Sequence, residues 1–144
     1  MEQSTHQGGC LCGQTRYRIS AEPVARALCH CRECRLASGA ASVAWFVMPV
    51  DGFEYVSGTP ALFESSPSVT RGFCPHCGTT LTYQHTSSAK TIDVTTATLD
   101  DPEAYAPVRD VWVEEKLGWE PLDPSRPHFA RFSAGAEPIN AKEA

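Results

Sequence analysis

A short segment in the middle of the chain, Cys74-Pro75-His76-Cys77-Gly78, decides how this sequence folds. Two cysteines separated by two residues can bind one metal ion, and the glycine after them allows the positive φ that turns backbone amides toward sulfur. A tetrahedral structural zinc site needs two more ligands, at zinc–sulfur distances of about 2.3 Å. The best candidates are Cys10 and Cys12, which lie between Gly8-Gly9 and Gly13. We therefore predict a closed four-cysteine zinc site that joins the N-terminal part of the chain to its middle.

Three cysteines remain after this assignment: Cys29, Cys31 and Cys34. Three thiolates without a fourth cysteine are typical of an open zinc site, in which water or a substrate takes the fourth position. The sequence also allows a closed site with His30 or His76 as the fourth ligand. His30 lies between two ligands, so we expect its side chain to point away from them. The sequence thus predicts two zinc ions per chain, one closed and one open.

The seven cysteines fall into three tight groups within the first 77 residues. Disulfides alone cannot use an odd number of cysteines. The first nine residues lack the basic and apolar regions of a secretory signal, so we expect a cytoplasmic protein in a reducing compartment. Clustered cysteines in such a compartment indicate metal binding or catalysis rather than disulfides or inert buried thiols.

The composition predicts a small globular protein. Hydrophobic residues make up 42% of the 144 residues and charged residues 20%, which is typical of a folded chain. We expect one zinc-binding domain over residues 1–132 and a flexible polar tail over residues 133–144. The net charge of −5 argues against a nucleic-acid partner. No apolar run approaches the roughly 20 residues of a membrane span, so we expect no membrane partner either.

Short alternating or apolar runs separated by Gly, Pro and Ser predict a mainly β fold of several small antiparallel sheets. Arg32–Ser38 is the only predicted helix, and it ends at Gly39, where a C-terminal cap is expected. The predicted strands are Thr15–Ile19, Val24–Leu28, Ser42–Met48, Phe53–Val56, Ala61–Glu64, Val69–Phe73, Thr79–Gln84, Thr91–Thr96 and Val108–Val113.

The cysteine groups and their neighbours resemble the glutathione-dependent formaldehyde-activating enzyme family, to which centromere protein V also belongs. The resemblance runs from about Gly8 to Phe132 and rests on these segments: Gly9-Cys10-Leu11-Cys12-Gly13, Arg16-Tyr17, Cys29-His30-Cys31, Cys34-Arg35, Ser38-Gly39, Arg71-Gly72-Phe73-Cys74, Cys77-Gly78-Thr79 and Thr98-Leu99-Asp100-Asp101-Pro102, with Trp112 and Trp119.

This resemblance implies a mainly β zinc fold known as the β-tent. It implies a structural zinc held by Cys10, Cys12, Cys74 and Cys77, and a second zinc held by Cys29, Cys31 and Cys34. These ligand sets agree with those predicted from cysteine spacing. The family name describes the condensation of glutathione with formaldehyde to S-hydroxymethylglutathione, which is classed as a carbon–sulfur lyase reaction in reverse.

The functional prediction is a zinc-dependent thiol-adduct enzyme. A small thiol, such as glutathione, binds at the open zinc of Cys29, Cys31 and Cys34 and adds to a small aldehyde, or the reverse reaction releases the aldehyde. These three cysteines are the predicted catalytic residues, and Arg35 is the predicted contact for an anionic part of the ligand. Arg32 and Arg71 are other candidate cations. A proton donor to the new hydroxyl group could be His30, Glu33 or His76.

Two other functions remain open from the sequence. The same site could bind a thiol without turnover, or the protein could be a purely structural two-zinc domain. Methionine sulfoxide reduction is disfavoured, because it needs a reactive cysteine outside the metal sites and no cysteine follows Cys77. Trp45 and Phe46 could line a pocket over the open zinc or pack in the core. The sequence carries no signal of oligomeric state.

Overall fold

A computed structural model of the chain describes residues 5–139. This part of the chain is mainly β with one short helix, which confirms the predicted fold class. The strands are β1 (His6–Gly9), β2 (Arg16–Ile19), β3 (Ala25–Cys29), β4 (Val43–Pro49), β5 (Phe53–Ser57), β6 (Ala61–Ser66), β7 (Val69–Phe73), β8 (Thr80–His85), β9 (Thr91–Thr95) and β10 (Asp110–Val111). The helix is α1 (Arg32–Ser38), and 3₁₀ turns span Val50–Gly52, Thr86–Ser88, Thr96–Thr98, Pro102–Tyr105 and Val113–Glu115. None of the described helices has the length and apolar character that crossing a membrane requires.

The described chain forms two compact units, each assembled from two separate stretches of sequence. The first unit contains residues 5–25 and 46–105, and the second contains residues 26–45 and 106–139. The boundary between residues 45 and 46 falls within β4. The single domain over residues 1–132 stays a prediction. Within the expected tail, Ile139 donates its backbone N–H to the His128 carbonyl at 2.7 Å, and residues 140–144 lie outside the described part of the chain.

The first unit contains two antiparallel arrangements of strands. Strand β2 pairs with β1 on one side and with β5 on the other. Its alternation buries Tyr17 and Ile19 and leaves Arg18 exposed, as expected for a half-buried strand. Strands β6, β7, β8 and β9 pair in chain order. The buried core of this unit consists of Cys10, Tyr17, Ile19, Phe46, Met48, Cys74, Leu81, Val94, Leu99 and Tyr105.

The second unit places α1 beside a parallel strand pair. Strand β10 runs parallel to β3, with Val111 opposite Cys29, whereas we expected antiparallel sheets throughout. The predicted strand Val108–Val113 is wrong in length, since only Asp110–Val111 forms a strand. The cause is Trp112, which adopts a left-handed conformation with φ 58° and so turns the chain out of the extended conformation.

Candidate metal centres

The first centre consists of the thiols of Cys10, Cys12, Cys74 and Cys77, whose sulfur atoms all lie within 4.8 Å of one another. The Sγ atoms of Cys10 and Cys12 are 3.5 Å apart, and those of Cys12 and Cys74 are 3.8 Å apart. Four sulfurs at about 2.3 Å around a tetrahedral zinc ion would be about 3.8 Å from one another. The donor set and its spacing therefore fit one tetrahedral metal ion.

Two matching loops supply these cysteines. The amide of Cys74 donates to the Thr79 carbonyl at 3.0 Å, and the amide of Cys10 donates to the Thr15 carbonyl at the same distance. Gly78 and Gly13 follow the second cysteine of each pair, and both have φ 81°, which costs glycine little and other residues much more. The sequence signal of a cysteine pair followed by glycine thus predicts the local geometry correctly at both loops.

Backbone and side-chain donors in these loops favour the thiolate form of Cys74 and Cys77. The hydroxyl and the amide of Thr79 lower the pKa of the Cys77 thiol to about 5. A hydrogen bond from Thr15 lowers the pKa of Cys74 and outweighs the opposing effect of burial. The amide of Thr15 also donates to Cys10 Sγ at 3.2 Å. Since metal ions bind the deprotonated form, these contacts prepare the loops for a metal.

The second centre consists of Cys29, Cys31 and Cys34, whose sulfur atoms also lie within 4.8 Å of one another. Cys29 ends β3, Cys31 caps the N-terminus of α1, and Cys34 lies in its first turn. The Cys34 amide donates to Cys31 Sγ at 3.3 Å. A short helix that starts at the second cysteine therefore brings the third back to the first two, as the spacing of Cys31 and Cys34 predicts.

The three thiols of the second centre need a cation to ionise together. Hydrogen bonds with the Cys31 and Cys34 thiols, followed by burial, raise the pKa of Cys29. A divalent ion would remove this penalty, because coordination deprotonates thiols. Across residues 5–139, no histidine, acidic residue or further cysteine joins these three within the same distance. His30 and His76, the candidate fourth ligands, are therefore not part of the group, and the donor set fits a metal ion with one position left for another ligand.

Arg35, the predicted ligand contact, is half-buried on α1 directly after Cys34. Its Nε atom is shielded from solvent and has no hydrogen-bond partner among the described residues. An unpaired buried donor is unfavourable, and an anionic or carbonyl oxygen would satisfy it. Arg32 is exposed on the same helix. Arg71 instead lies buried in the first unit, where its guanidinium packs 5.0 Å from the centre of the Tyr83 ring.

The other residues singled out from the sequence have different positions. Phe46 is fully buried in the core of the first unit, 5.5 Å from Tyr105 between ring centres. Trp45 is buried in the second unit. Glu33 and His76, two candidate proton donors, are exposed, whereas His30 is fully buried.

Sequence reasoning missed one buried cluster beside the second centre. Asp110 is completely buried, and its carboxylate accepts hydrogen bonds from His30, Arg126 and His128. Neither His128 nor Asp110 is among the functional residues predicted from the sequence. The available signal was a carboxylate within the apolar run Val108–Val113, since an acid in a buried strand needs partners.

The described chain is therefore a mainly β protein with one short helix and two groups of cysteine thiols that could each hold a metal ion. The family model described as glutathione-dependent formaldehyde-activating enzyme matches residues 5–115. The chain belongs to this family.

A solved structure supports the fold. The chain is similar to a protein from Rhodobacter sphaeroides whose crystal structure is known, with a TM-score of 0.55 and 23% sequence identity. The match covers 65% of this chain and 87% of the Rhodobacter protein.

Proposed function

We propose that this protein is a zinc-dependent enzyme of the carbon–sulfur lyase type, which adds a small thiol such as glutathione to a small aldehyde or releases the aldehyde from the adduct. The observation that carries this proposal is the group of three cysteines with no fourth protein ligand within 4.8 Å among residues 5–139. Membership of the glutathione-dependent formaldehyde-activating enzyme family supports the substrate class. Both metal ions are proposed to be zinc, because thiolate-rich tetrahedral sites select it.

A zinc ion with three thiolate ligands and one open position supplies a place where a small thiol loses its proton and is held at neutral pH. Cys29, Cys31 and Cys34 would hold such an ion and would leave one ligand position to the substrate. In the forward direction, a carbon–sulfur bond forms between the thiol sulfur and the aldehyde carbon, and the thiol proton ends on the former carbonyl oxygen. The reverse reaction breaks that bond and returns the thiol and the aldehyde.

The charge distribution favours an anionic thiol at the second centre. The described part of the second unit carries seven Lys or Arg residues against seven Asp or Glu, whereas the first unit carries four against eight. The unpaired Nε of Arg35 offers a donor one residue after Cys34. We propose that Arg35 binds a carboxylate or carbonyl oxygen of the thiol, because hydrogen bonds from a guanidinium to such groups are among the stronger ones.

The cytoplasm is the proposed location. All seven cysteines are free thiols, as two thiolate-bound metal ions require, and a reducing compartment keeps them so.

The first test is a calorimetric titration of the zinc-loaded protein with reduced glutathione, with S-methylglutathione as the control. We expect binding by the free thiol alone, accompanied by proton release, because the methylated sulfur cannot become a thiolate. Equal binding of both compounds would contradict an open zinc that takes the thiol, and no heat with either would remove glutathione as the ligand.

Cys34→Ser separates the proposed enzyme from a purely structural domain. Loss of one of three ligands should abolish thiol binding and leave the first unit, with its own four-cysteine group, folded. Global unfolding of this variant would overturn the idea of an open functional site. Consumption of formaldehyde in the presence of glutathione then distinguishes an enzyme from a protein that only binds the thiol.

A further inference from the structure

Three buried side chains in the second unit, His30, Asp110 and His128, form a polar cluster with the partly exposed Arg126. Oδ1 of Asp110 accepts hydrogen bonds from His30 Nε2 at 2.9 Å and Arg126 Nη2 at 3.3 Å. Its Oδ2 accepts from Arg126 Nε at 3.0 Å and His128 Nδ1 at 3.2 Å. The Asp110 carboxylate is therefore the common acceptor of three side chains from two distant segments, His30 and residues 126–128.

Asp110 stays ionised in this setting. Burial by itself would raise its pKa, but the hydrogen bonds from His30 and Arg126 outweigh burial, and the pKa of Asp110 lies below the usual value. A buried carboxylate that is paired and fully hydrogen-bonded fixes its partners firmly, because any of them that moves leaves a charge unsatisfied.

His30 connects this cluster to Cys29 and Cys31, the residues before and after His30 in the sequence. Its backbone N–H donates to the Val111 carbonyl at 3.1 Å, and Val111 lies opposite Cys29 in the parallel pair. The chain is extended at Cys31, with φ −67° and ψ 153°. The His30 ring bonds to Asp110, whereas the thiols of Cys29 and Cys31 lie together with that of Cys34.

The orientation of the His30 ring depends on Asp110. The ring is fully buried, and its Nδ1 atom has no hydrogen-bond partner among the described residues. The Nε2 bond to the Asp110 carboxylate is therefore the polar contact that sets the ring plane. Because Cys29 and Cys31 are the residues on either side of His30, a fixed ring constrains the backbone that carries both thiols.

We propose that Asp110 is a positioning residue of the second metal centre, which acts through His30 to hold Cys29 and Cys31 in place for the metal ion. Arg126 donates to both oxygens of the carboxylate and His128 to Oδ2, so the segment around residues 126–128 belongs to the functional centre although it contains no cysteine. This inference rests on the metal-binding part of the proposed function, and it does not depend on which thiol or aldehyde is used.

The test compares His30→Gln with His30→Leu. A glutamine amide can donate to Asp110 in place of the imidazole Nε2, whereas leucine fills a similar space without a donor. The readout is the affinity for each of two zinc ions, measured by competition with a chromophoric chelator, together with the absorption spectrum of the cobalt-substituted protein. Outer contacts of metal ligands typically change metal affinity about 10–100-fold.

We expect His30→Leu to lower the affinity for the second zinc ion by such a factor and to alter the cobalt spectrum, while the affinity for the first zinc ion stays unchanged. His30→Gln should bind the second zinc ion with wild-type affinity. Asp110→Asn should resemble His30→Leu. Asp123→Asn is the matched control, because Asp123 contacts Arg126 Nη1 at 3.5 Å but lies outside the buried cluster. It should leave both affinities unchanged.

Wild-type affinity for the second zinc in folded His30→Leu would overturn the proposal. If neither His30 variant folds, Arg126→Gln replaces them in the test, because Arg126 lies at the partly exposed edge of the cluster. Wild-type affinity for the second zinc ion in Arg126→Gln would also overturn the proposal. A wild-type protein that binds two zinc ions but no glutathione would overturn the proposed reaction and leave the positioning role standing. A wild-type protein that binds only one zinc ion would overturn both.

Discussion

Asp93 on β9 lies directly opposite Tyr83 on β8, in the same cross-strand row as Arg71 on β7. The Arg71 guanidinium packs over the Tyr83 ring and donates through Nε to Ser65 Oγ at 3.2 Å. Burial raises the pKa of Asp93 to about 7, although the charge of Arg71 acts in the opposite direction. The folded protein therefore holds a proton on Asp93 at pH values where the unfolded chain has lost it.

This difference predicts the sign of a pH effect on stability. Because the folded state binds more protons, the contribution of Asp93 to the free energy of unfolding falls as the pH rises toward 7 and then levels off. Each unit of pKa difference corresponds to about 1.4 kcal/mol. Asp93→Asn should have the same free energy of unfolding as the wild type near pH 4. Above pH 7 it should be more stable by a few kcal/mol, which is the full pKa difference expressed as a free energy.

The measurement is urea unfolding of the zinc-loaded proteins between about pH 5.5 and 8.5, where the advantage of Asp93→Asn should grow up to about pH 7 and then stay constant. Asp100→Asn is the control of opposite sign, because the hydrogen bonds from Arg16 lower the pKa of Asp100. That variant should be less stable than the wild type throughout this range. A constant difference between Asp93→Asn and the wild type would contradict the raised pKa.

Cys12→Ser should unfold the protein. It removes one ligand from the closed group, and a structural zinc site contributes about 10–16 kcal/mol in small zinc peptides, compared with a typical domain stability of about 5–15 kcal/mol. Circular dichroism and the dispersion of amide proton resonances would report the loss of structure. A variant that melts at the wild-type temperature would refute the assignment of Cys12 to a structural metal.

Arg35→Gln should weaken the binding of glutathione about 10-fold or more, since a hydrogen bond from a charged group contributes about 1.5–3 kcal/mol. Arg32→Gln, on the exposed side of the same helix, is the matched control for the loss of one positive charge and should change affinity much less. Titration calorimetry at two salt concentrations separates a direct contact from a general electrostatic effect. Equal losses in the two variants would argue against a specific role for Arg35.

Gly78→Ala should lower the free energy of unfolding by about 1–2 kcal/mol, because an L-residue in the left-handed conformation is strained by that amount. Apart from Gly78 and its two chain neighbours, no described residue has an atom within 4 Å of the new Cβ position, so we attribute the effect to backbone strain. Gly118→Ala has equally open surroundings and no positive φ, and its effect should stay within about 0.5 kcal/mol. Equal effects in urea unfolding would contradict this explanation.

The features that were predicted correctly depend on neighbouring residues. The helix Arg32–Ser38 and the strand Val69–Phe73 have the predicted bounds, because each carries its own pattern and its own stop signal. The two cysteine groups also come together as predicted. Chelation requires cysteines at short spacing, and assigning two close pairs to a four-ligand site leaves three cysteines for the second site.

The features that were missed depend on distant partners. Strand β1, His6–Gly9, has two glycines and no alternation, and it forms because β2 offers an edge to pair with. The left-handed turn at Trp112 is held by the hydrogen bond from its amide to the Arg131 carbonyl at 3.1 Å. Asp110 finds His30 and His128 only after the chain has folded. No local pattern encodes such pairings.

The interleaved order of the two units has a consequence for synthesis on the ribosome. All four thiols of the first centre, and every strand of its unit, have been translated by residue 105. The second centre has its last thiol at Cys34, yet the side chains that surround Asp110 are complete only at His128. The nascent chain can therefore assemble the four-cysteine group first, and the surroundings of the three-cysteine group are complete only after residue 128 has been translated.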